Sequence, residues 1–320
     1  TVAFIISRTT NANPLASIIN ERQLENPEVV AAAKARWGLD RSLPEQYVIY
    51  VGNLLQGDMG TSFRTKRPVS EDLRERLPAT LELVVSAMLV ASVTGVVFGV
   101  AAARRRGSMV DYTVRILALL GSAVPVFWSG LLFLYLFAVK LQVFPVTGRL
   151  DPRTMPPEFH TGLFTVDALI DRNWPIFIEA CTHLILPSLV LGWSVLGIVA
   201  RVVRASMLDV LDQDFILMAR AKGASEIRVL TNHALRNALV PVITIIAFSF
   251  AYLITGAVLT EAVFAWPGIG SYAVESARAI DYPAILGVTL IAGVSFLLTN
   301  LVADICYVIV DPRIRTGHQQ

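Results

Sequence analysis

Residues 83 to 106 read LVVSAMLVASVTGVVFGVAAARRR, an uncharged run from Leu83 to Ala103 closed by Arg104, Arg105 and Arg106. A helix rises about 1.5 Å per residue, so about 20 apolar residues cover the ~30 Å hydrocarbon core of a bilayer. This stretch is therefore predicted to span a membrane. Four more runs reach that length: Ile116 to Val139, Leu184 to Val203, Leu239 to Leu259 and Ala284 to Ile309. The fragment Thr1 to Ile6 reads as the outer end of a further span whose start is missing, since it gives way to Arg8 and the Asn-rich Thr9 to Asn13. No basic region precedes it, so no signal peptide is assigned. The expected fold class is an all-α integral membrane protein with six transmembrane helices, the first truncated.

Composition agrees. Of 320 residues, 54% are apolar and 16% charged, too few charges to wet the surface of a soluble domain. The net charge of +2 gives no footprint for nucleic acid, which would require clustered Lys and Arg on one face. Two cysteines, Cys181 and Cys306, form no disulfide framework and leave the redox compartment unread.

Orientation follows from Lys and Arg in short loops, which stay on the cytoplasmic side. Arg104, Arg105, Arg106 and Arg115 follow the second span; Arg201, Arg204, Arg220, Lys222, Arg228 and Arg236 follow the fourth; Arg313 and Arg315 follow the last. The alternate loop from Thr260 to Pro283 carries only Arg278 against Glu261, Glu275 and Asp281. Both termini are thus expected in the cytoplasm, in an inner or plasma membrane. The domain division is 1–7 for the end of the first helix, 8–79 for an extracytoplasmic insert, and 80–320 for the transmembrane domain with a cytoplasmic loop at 205–237. Within the insert, helical periodicity runs from Pro27 to Leu39 and from Pro44 to Leu55, followed by Gln56-Gly57-Asp58-Met59-Gly60. A second outer segment, Lys140 to Thr182, offers Phe164 to Ile170 as a short interfacial helix and Trp174 at headgroup depth.

Several chemistries are missing. Ion-coupled transporters keep ionisable groups near midplane, whereas Glu82, Arg115 and Asp304 lie near span ends, where side chains reach water. Lys34, Lys66, Lys140 and Lys222 are followed by Ala, Arg, Leu and Gly, so none belongs to a phosphate-binding P-loop. No G-x-S-x-G elbow occurs, and His160, His183, His233 and His318 are scattered. Cys181-Thr182-His183 lacks a second ligand pair at zinc spacing and reads as a satisfied His at a helix end. No catalytic residue, metal ligand or cofactor site is assigned to the chain.

The loop from Ser206 to Asn237 carries the most specific signal. Good helix formers run from Met207 to Ala221, and Gly223 offers a C-terminal stop before a second helix enters the membrane. The small side chains of Ala219 and Ala221 allow close approach of a partner, and Arg220 and Lys222 can pair with acidic groups on it. A surface helix in an ordinary positive-inside loop would show the same composition.

This text resembles the permeases of binding-protein-dependent ABC importers, specifically the B-type subunit of the oligopeptide and dipeptide family. The superfamily pattern is E-A-A, three residues, Gly, nine residues, I-x-L-P. Here Ala219, Gly223 and Leu235 fit, while Leu217 and Met218 replace the Glu and first Ala, and His233 and Arg236 replace the Ile and Pro. The peptide-type core A-R-A-K-G matches Ala219 to Gly223, and H-A-L-R-N-A-L-x-P matches His233 to Pro241. Gly57-Asp58-Met59-Gly60-Thr61-Ser62-Phe63, Arg76-Leu77-Pro78-Ala79-Thr80-Leu81, Phe264-Ala265-Trp266-Pro267-Gly268-Ile269-Gly270 and Asp311-Pro312-Arg313-Ile314-Arg315 resemble further family motifs, in order along the chain.

The resemblance implies a non-catalytic subunit that moves peptides through a pathway shared with a second homologous permease. It implies two cytoplasmic ATPase subunits that bind the ATP and Mg, and an extracytoplasmic binding protein or lipoprotein. Ala219, Arg220, Ala221, Lys222 and Gly223 would engage an ATPase subunit. Trp266, Pro267 and Gly268 would line or gate the outer mouth. Ser249, Tyr252 and Thr255 either face the path or hydrogen-bond a neighbouring helix. Relatives also carry nickel chelates or oligosaccharides, so cargo stays open. The competing classes are a nucleotide-independent facilitator or secondary transporter, and a membrane receptor or scaffold.

Overall fold

A computed structural model describes residues 1–2, 4–5, 26–36 and 41–310 of the chain. Among them the secondary structure is helical, with one isolated bridge pairing Thr61 and Pro68. The helices are α1 Pro27–Arg36, α2 Leu43–Leu55, α3 Val69–Arg104, α4 Met109–Ala123, α5 Val126–Phe133, α6 Phe164–Ile170, α7 Trp174–Leu211, α8 Asp214–Ala221, α9 Arg236–Val263, α10 Ile269–Arg278 and α11 Tyr282–Val310. Among the described residues, four helices are long and apolar enough to cross a bilayer, or five if a bent pair counts as one span. Residues 3, 6 and 7 of the expected first-span fragment lie outside the described residues, as do the tail 311–315 and the side chain of Asp304.

The bent pair corrects the expectation of an unbroken helix from Ile116 to Val139. α4 and the segment Val126–Lys140 meet at 108°. Pro125 supplies the reason: it lacks an N–H, and its ring disfavours the helical region for the residue before it. Val124 accordingly takes ψ 130°, and a new helix starts after Pro125. The last turns of that helix, Leu134–Lys140, widen into a π-helix. A second correction falls at Asp212 and Gln213, where the helix expected from Met207 to Ala221 breaks into the end of α7 and the separate α8. The polar triplet Asp212-Gln213-Asp214 marks that break.

The chain divides into two compact units, Thr1–Thr80 with Pro267–Val294, and Leu81–Trp266 with Ser295–Gln320. In the first, Val69, Leu73, Ile269, Tyr272 and Ala284 form the core. The sequence motifs here are structural. Gly57 and Gly60 take φ of 83°, a region that side chains with a Cβ rarely occupy, and so turn the chain after α2. Buried Asp281 then accepts bonds from the Ser62 hydroxyl and from the Arg64 N–H at 3.1 Å. Thr80 caps α10, its hydroxyl accepting from Ile269 N–H at 2.9 Å. Tyr272 is fully buried and donates to Asp72 at 2.9 Å, and the Arg76 guanidinium lies 5.0 Å from its ring centre.

In the second unit, α7 is the central post, packed along α4 and α9. Small residues set its spacing. A Cβ on Gly192 would stand 2.7 Å from the Ala87 carbonyl oxygen of α3, so only hydrogen fits there. Such close backbone approach is how helices associate where lipid removes the hydrophobic drive. Val190, Leu186, Phe264 and Ala138 form one core cluster, and Ala102, Val114 and Ala200 another.

Candidate functional site

The loop between α7 and α9 is built around α8. Its Ile216 is buried, and the helix packs on the π-helical segment Val229–Leu235, where Val229 and Ala234 are also fully buried. Its other side is open. Phe215, Leu217 and Met218 are exposed apolar side chains, the last two at 57% and 58%, a surface that a water-facing helix does not need.

The end of α8 is a Schellman motif. Ala224 N–H donates to Ala219 C=O at 3.2 Å and Gly223 N–H to Arg220 C=O at 2.9 Å, with Gly223 at φ +79°. This pattern satisfies the last carbonyls and requires a left-handed residue, which favours glycine. A Cβ on Gly223 would meet nothing within 4 Å. The requirement is therefore conformational rather than steric. Arg220 forms a two-pronged pair with Glu226, Nη2 to Oε1 at 2.9 Å and Nε to Oε2 at 3.4 Å, both side chains well exposed. Ala219 is half-buried, and Arg220, Ala221, Lys222 and Gly223 are exposed. The five residues form one continuous surface at a helix end.

The three residues expected at the outer mouth fall in different surroundings. Trp266 belongs to the second unit and is 1% exposed. Its N–H donates to Glu261 C=O at 2.8 Å. Pro267 and Gly268 belong to the first unit, where Pro267 is exposed and Gly268 precedes α10 as its N-cap.

Trp266 leads to a group that sequence reasoning missed. The Arg149 guanidinium lies 3.5 Å from the Phe164 ring centre and 5.8 Å from that of Trp266. Its Nη2 bonds Glu82 at 2.5 Å and the Gly162 carbonyl at 2.9 Å, and its Nε bonds Glu82 at 3.1 Å. The other Glu82 oxygen accepts from the N–H and hydroxyl of Thr165, at 2.8 and 2.7 Å. Both charged residues are 6% exposed, which corrects the expectation that Glu82 reaches water. Burial pushes the Arg149 guanidinium below its ordinary value, against the Glu82 charge. The partners are 67 residues apart, and their sequence neighbourhoods hold no signal of pairing.

Other charged groups lock this unit. Asp111, 1% exposed, binds Arg204 through two bonds of 2.7 and 2.9 Å and accepts from Gly107 N–H. His183 lies inside α7 rather than at its end, and its Nδ1 meets the Gly148 carbonyl at 3.1 Å. Glu158, His160 and Asp171 bring ligand atoms within 4.8 Å of one another on the surface. Ser249 is buried and Tyr252 exposed, while the side chain of Thr255 is outside the described residues.

Long apolar helices, with a glycine-terminated helix in the loop between two of them, describe a multi-pass membrane protein. The family model described as binding-protein-dependent transport system inner membrane component matches residues 95–316, and the chain belongs to that family. It is 42% identical over 316 residues to the probable D,D-dipeptide transport system permease protein DdpB of Escherichia coli K12, covering 99% of this chain and 92% of that protein. It is 42% identical over 319 residues to the di/tripeptide transport system permease protein DppB of Pseudomonas aeruginosa, covering 100% and 94%. A solved chain of the MetNI methionine ABC transporter, in an inward-facing form, has a TM-score of 0.49 at 14% identity and covers 73% of this chain and 94% of that one.

Proposed function

We propose that this chain is one of two permease subunits of a peptide importer, with the α8 loop in the cytoplasm and the insert 8–79 outside. The observation that carries the coupling part is the α8 tip: a Schellman-terminated helix with exposed Leu217, Met218 and Arg220 and a buried Ile216, joined at its two ends to α7 and α9. The peptide cargo rests on relatives about two-fifths identical over nearly the whole chain.

In this reading two cytoplasmic ATPase subunits bind the ATP and Mg, and residues Ala219 to Gly223 enter a cleft on one of them. Ile216 and the Val229 segment transmit the displacement, because close-packed contacts do not compress. Rotation of α7 and α9 then follows closure of the ATPases. Leu217 and Met218 make the contact more apolar than the superfamily pattern's Glu would. A binding protein or lipoprotein delivers cargo to the outer side, where the Trp266-Pro267-Gly268 segment lies at the mouth.

The test is reconstitution with the second permease, the ATPases and the binding protein in liposomes. Dipeptide uptake that needs ATP and all partners is expected. Uptake by this polypeptide alone, without nucleotide, would overturn the proposal.

A further inference from the structure

α2 is apolar yet buries nothing. Eight of its 13 residues are apolar and Glu45 is its one charge, but none of its residues is buried. A helix of this length is marginal in water without an apolar face to pack, and the described residues leave such a face uncovered. Pro44, Val48, Val51 and Leu55, spaced at helical intervals, fall on one side of it. Val48 is 69% exposed and Leu55 85%, and α2 contains no Lys or Arg.

The opposite side of α2 fixes its depth. Gln46, Ile49, Tyr50 and Asn53 wall one cleft with Tyr282, Pro283 and Leu286 of α11. In the turn after α2, a Cβ on Gly60 would stand 3.6 Å from that of Pro283. Tyr282 opens the candidate span Tyr282–Val302, and Leu286 lies about one turn further in. α2 therefore sits beside the first turn of a membrane helix rather than above its end. A second anchor agrees. Phe4, at the expected outer end of the first span, packs on Tyr47 and Tyr50 with ring centres 5.3 and 5.4 Å away, and the hydroxyls of Tyr47 and Thr1 meet at 2.7 Å. Tyrosines, apolar in the ring and polar at the tip, suit headgroup depth.

We propose that α2 lies in the lipid interface of the leaflet where α11 begins, with Pro44, Val48, Val51 and Leu55 against the acyl boundary and Asn53 on the cleft side. Lipid is the occupant because the neighbours of α2 are the ends of membrane segments, so its far side faces the surrounding leaflet. Without Lys or Arg, the helix is held there by apolar area rather than by attraction to anionic headgroups. The proposal requires α11 to cross the bilayer and makes no use of the peptide-importer reading.

The first experiment places a nitroxide on the full chain in phosphatidylcholine nanodiscs, through V48C, L55C or N53C, each combined with C181S and C306S. Oxygen concentrates in hydrocarbon and a nickel chelate stays in water, so the ratio of their collision rates with the label reads depth. Ratios at positions 48 and 55 severalfold above that at 53 are expected. Equal ratios at the three positions, as for a helix in water, would overturn the proposal. So would shielding of positions 48 and 55 from both reagents in the assembled importer, which would make a protein the occupant.

The second experiment needs no label. V48D combined with L55D should speed amide hydrogen exchange across residues 43–55 by roughly tenfold or more, because charges are expelled from the acyl boundary. Residues 184–203 of α7 should keep their protection. Unchanged exchange across 43–55 would overturn the proposal, since the same substitutions on a water-facing stripe cost almost nothing.

Discussion

Two arginine–glutamate pairs of similar geometry stand in opposite surroundings. Arg149 and Glu82 meet in a dry nest between Phe164 and Trp266, whereas Arg220 and Glu226 meet at the exposed end of α8. Water decides what each pair does. The buried charges have no substitute partner once one is removed, so the pair acts as a fixed staple between the start of the long helical segment and the 148–166 loop. The exposed charges exchange one another for water at little cost. Arg220 is thus free to trade Glu226 for another acidic group, as the coupling contact proposed above would require.

The sharpest way to break this comparison is to remove one charge of the buried pair. R149M or E82L alone leaves the other charge buried and should cost about 3–5 kcal/mol, whereas the double variant should recover most of that loss. Unfolding midpoints in detergent, read as a double-mutant cycle, would show it. Additive single losses would mean that the two side chains do not act as a pair.

A smaller effect is expected at the α8 tip. G223A forces a Cβ into the left-handed region and should cost about 1–2 kcal/mol locally, with no clash. Faster amide hydrogen exchange across residues 219–224 is the expected readout. In the full importer the same variant should lower substrate-stimulated ATP hydrolysis, and unchanged coupling would count against the tip as the contact.

Smaller still, R220E with K222E should leave stability within about 0.5 kcal/mol, as surface substitutions do. It should also reduce copurification of the ATPase subunits. Undiminished recovery would remove the charge contact while leaving the apolar one.

The smallest effect concerns the outer loop. His160 and Asp171 meet at 2.7 Å, and that hydrogen bond raises the imidazole above its ordinary value near 6.5. The stabilisation is present in full below that ordinary value and is lost as pH rises through the raised one. Asp167, by contrast, is pushed up by burial but held lower overall by bonds from Thr161 and Gly162. Hydrogen exchange across residues 158–171 should therefore gain protection on lowering the pH from 8 to 6, beyond the intrinsic rate change, and H160A should abolish the gain.

Much of the fold is legible one segment at a time. Phe164 to Ile170 is a helix with the expected bounds, and α2 begins one residue before the expected Pro44. Gly223 ends its helix as its position suggests, because the αL preference of glycine is local. Breaks are legible only where a residue enforces them. Val124-Pro125 carried a signal, yet the 19 apolar residues from Ile116 to Val139 outweighed one proline in a hydropathy count. Arg204 was read as a loop charge, although its main work is to hold Asp111, 93 residues earlier in the chain.

Periodicity, apolar length and turn chemistry were therefore sufficient to locate the long apolar helices and the glycine stop of α8, though not the breaks within them, since each depends on neighbours within a few residues. The sequence alone also carried the family. Tertiary structure decided which charges are buried, which glycines face a backbone, and that Trp266 packs beside Arg149 instead of lying open. Those outcomes depend on which distant segments exclude water from one another, and no window along the chain contains both sides of such a contact.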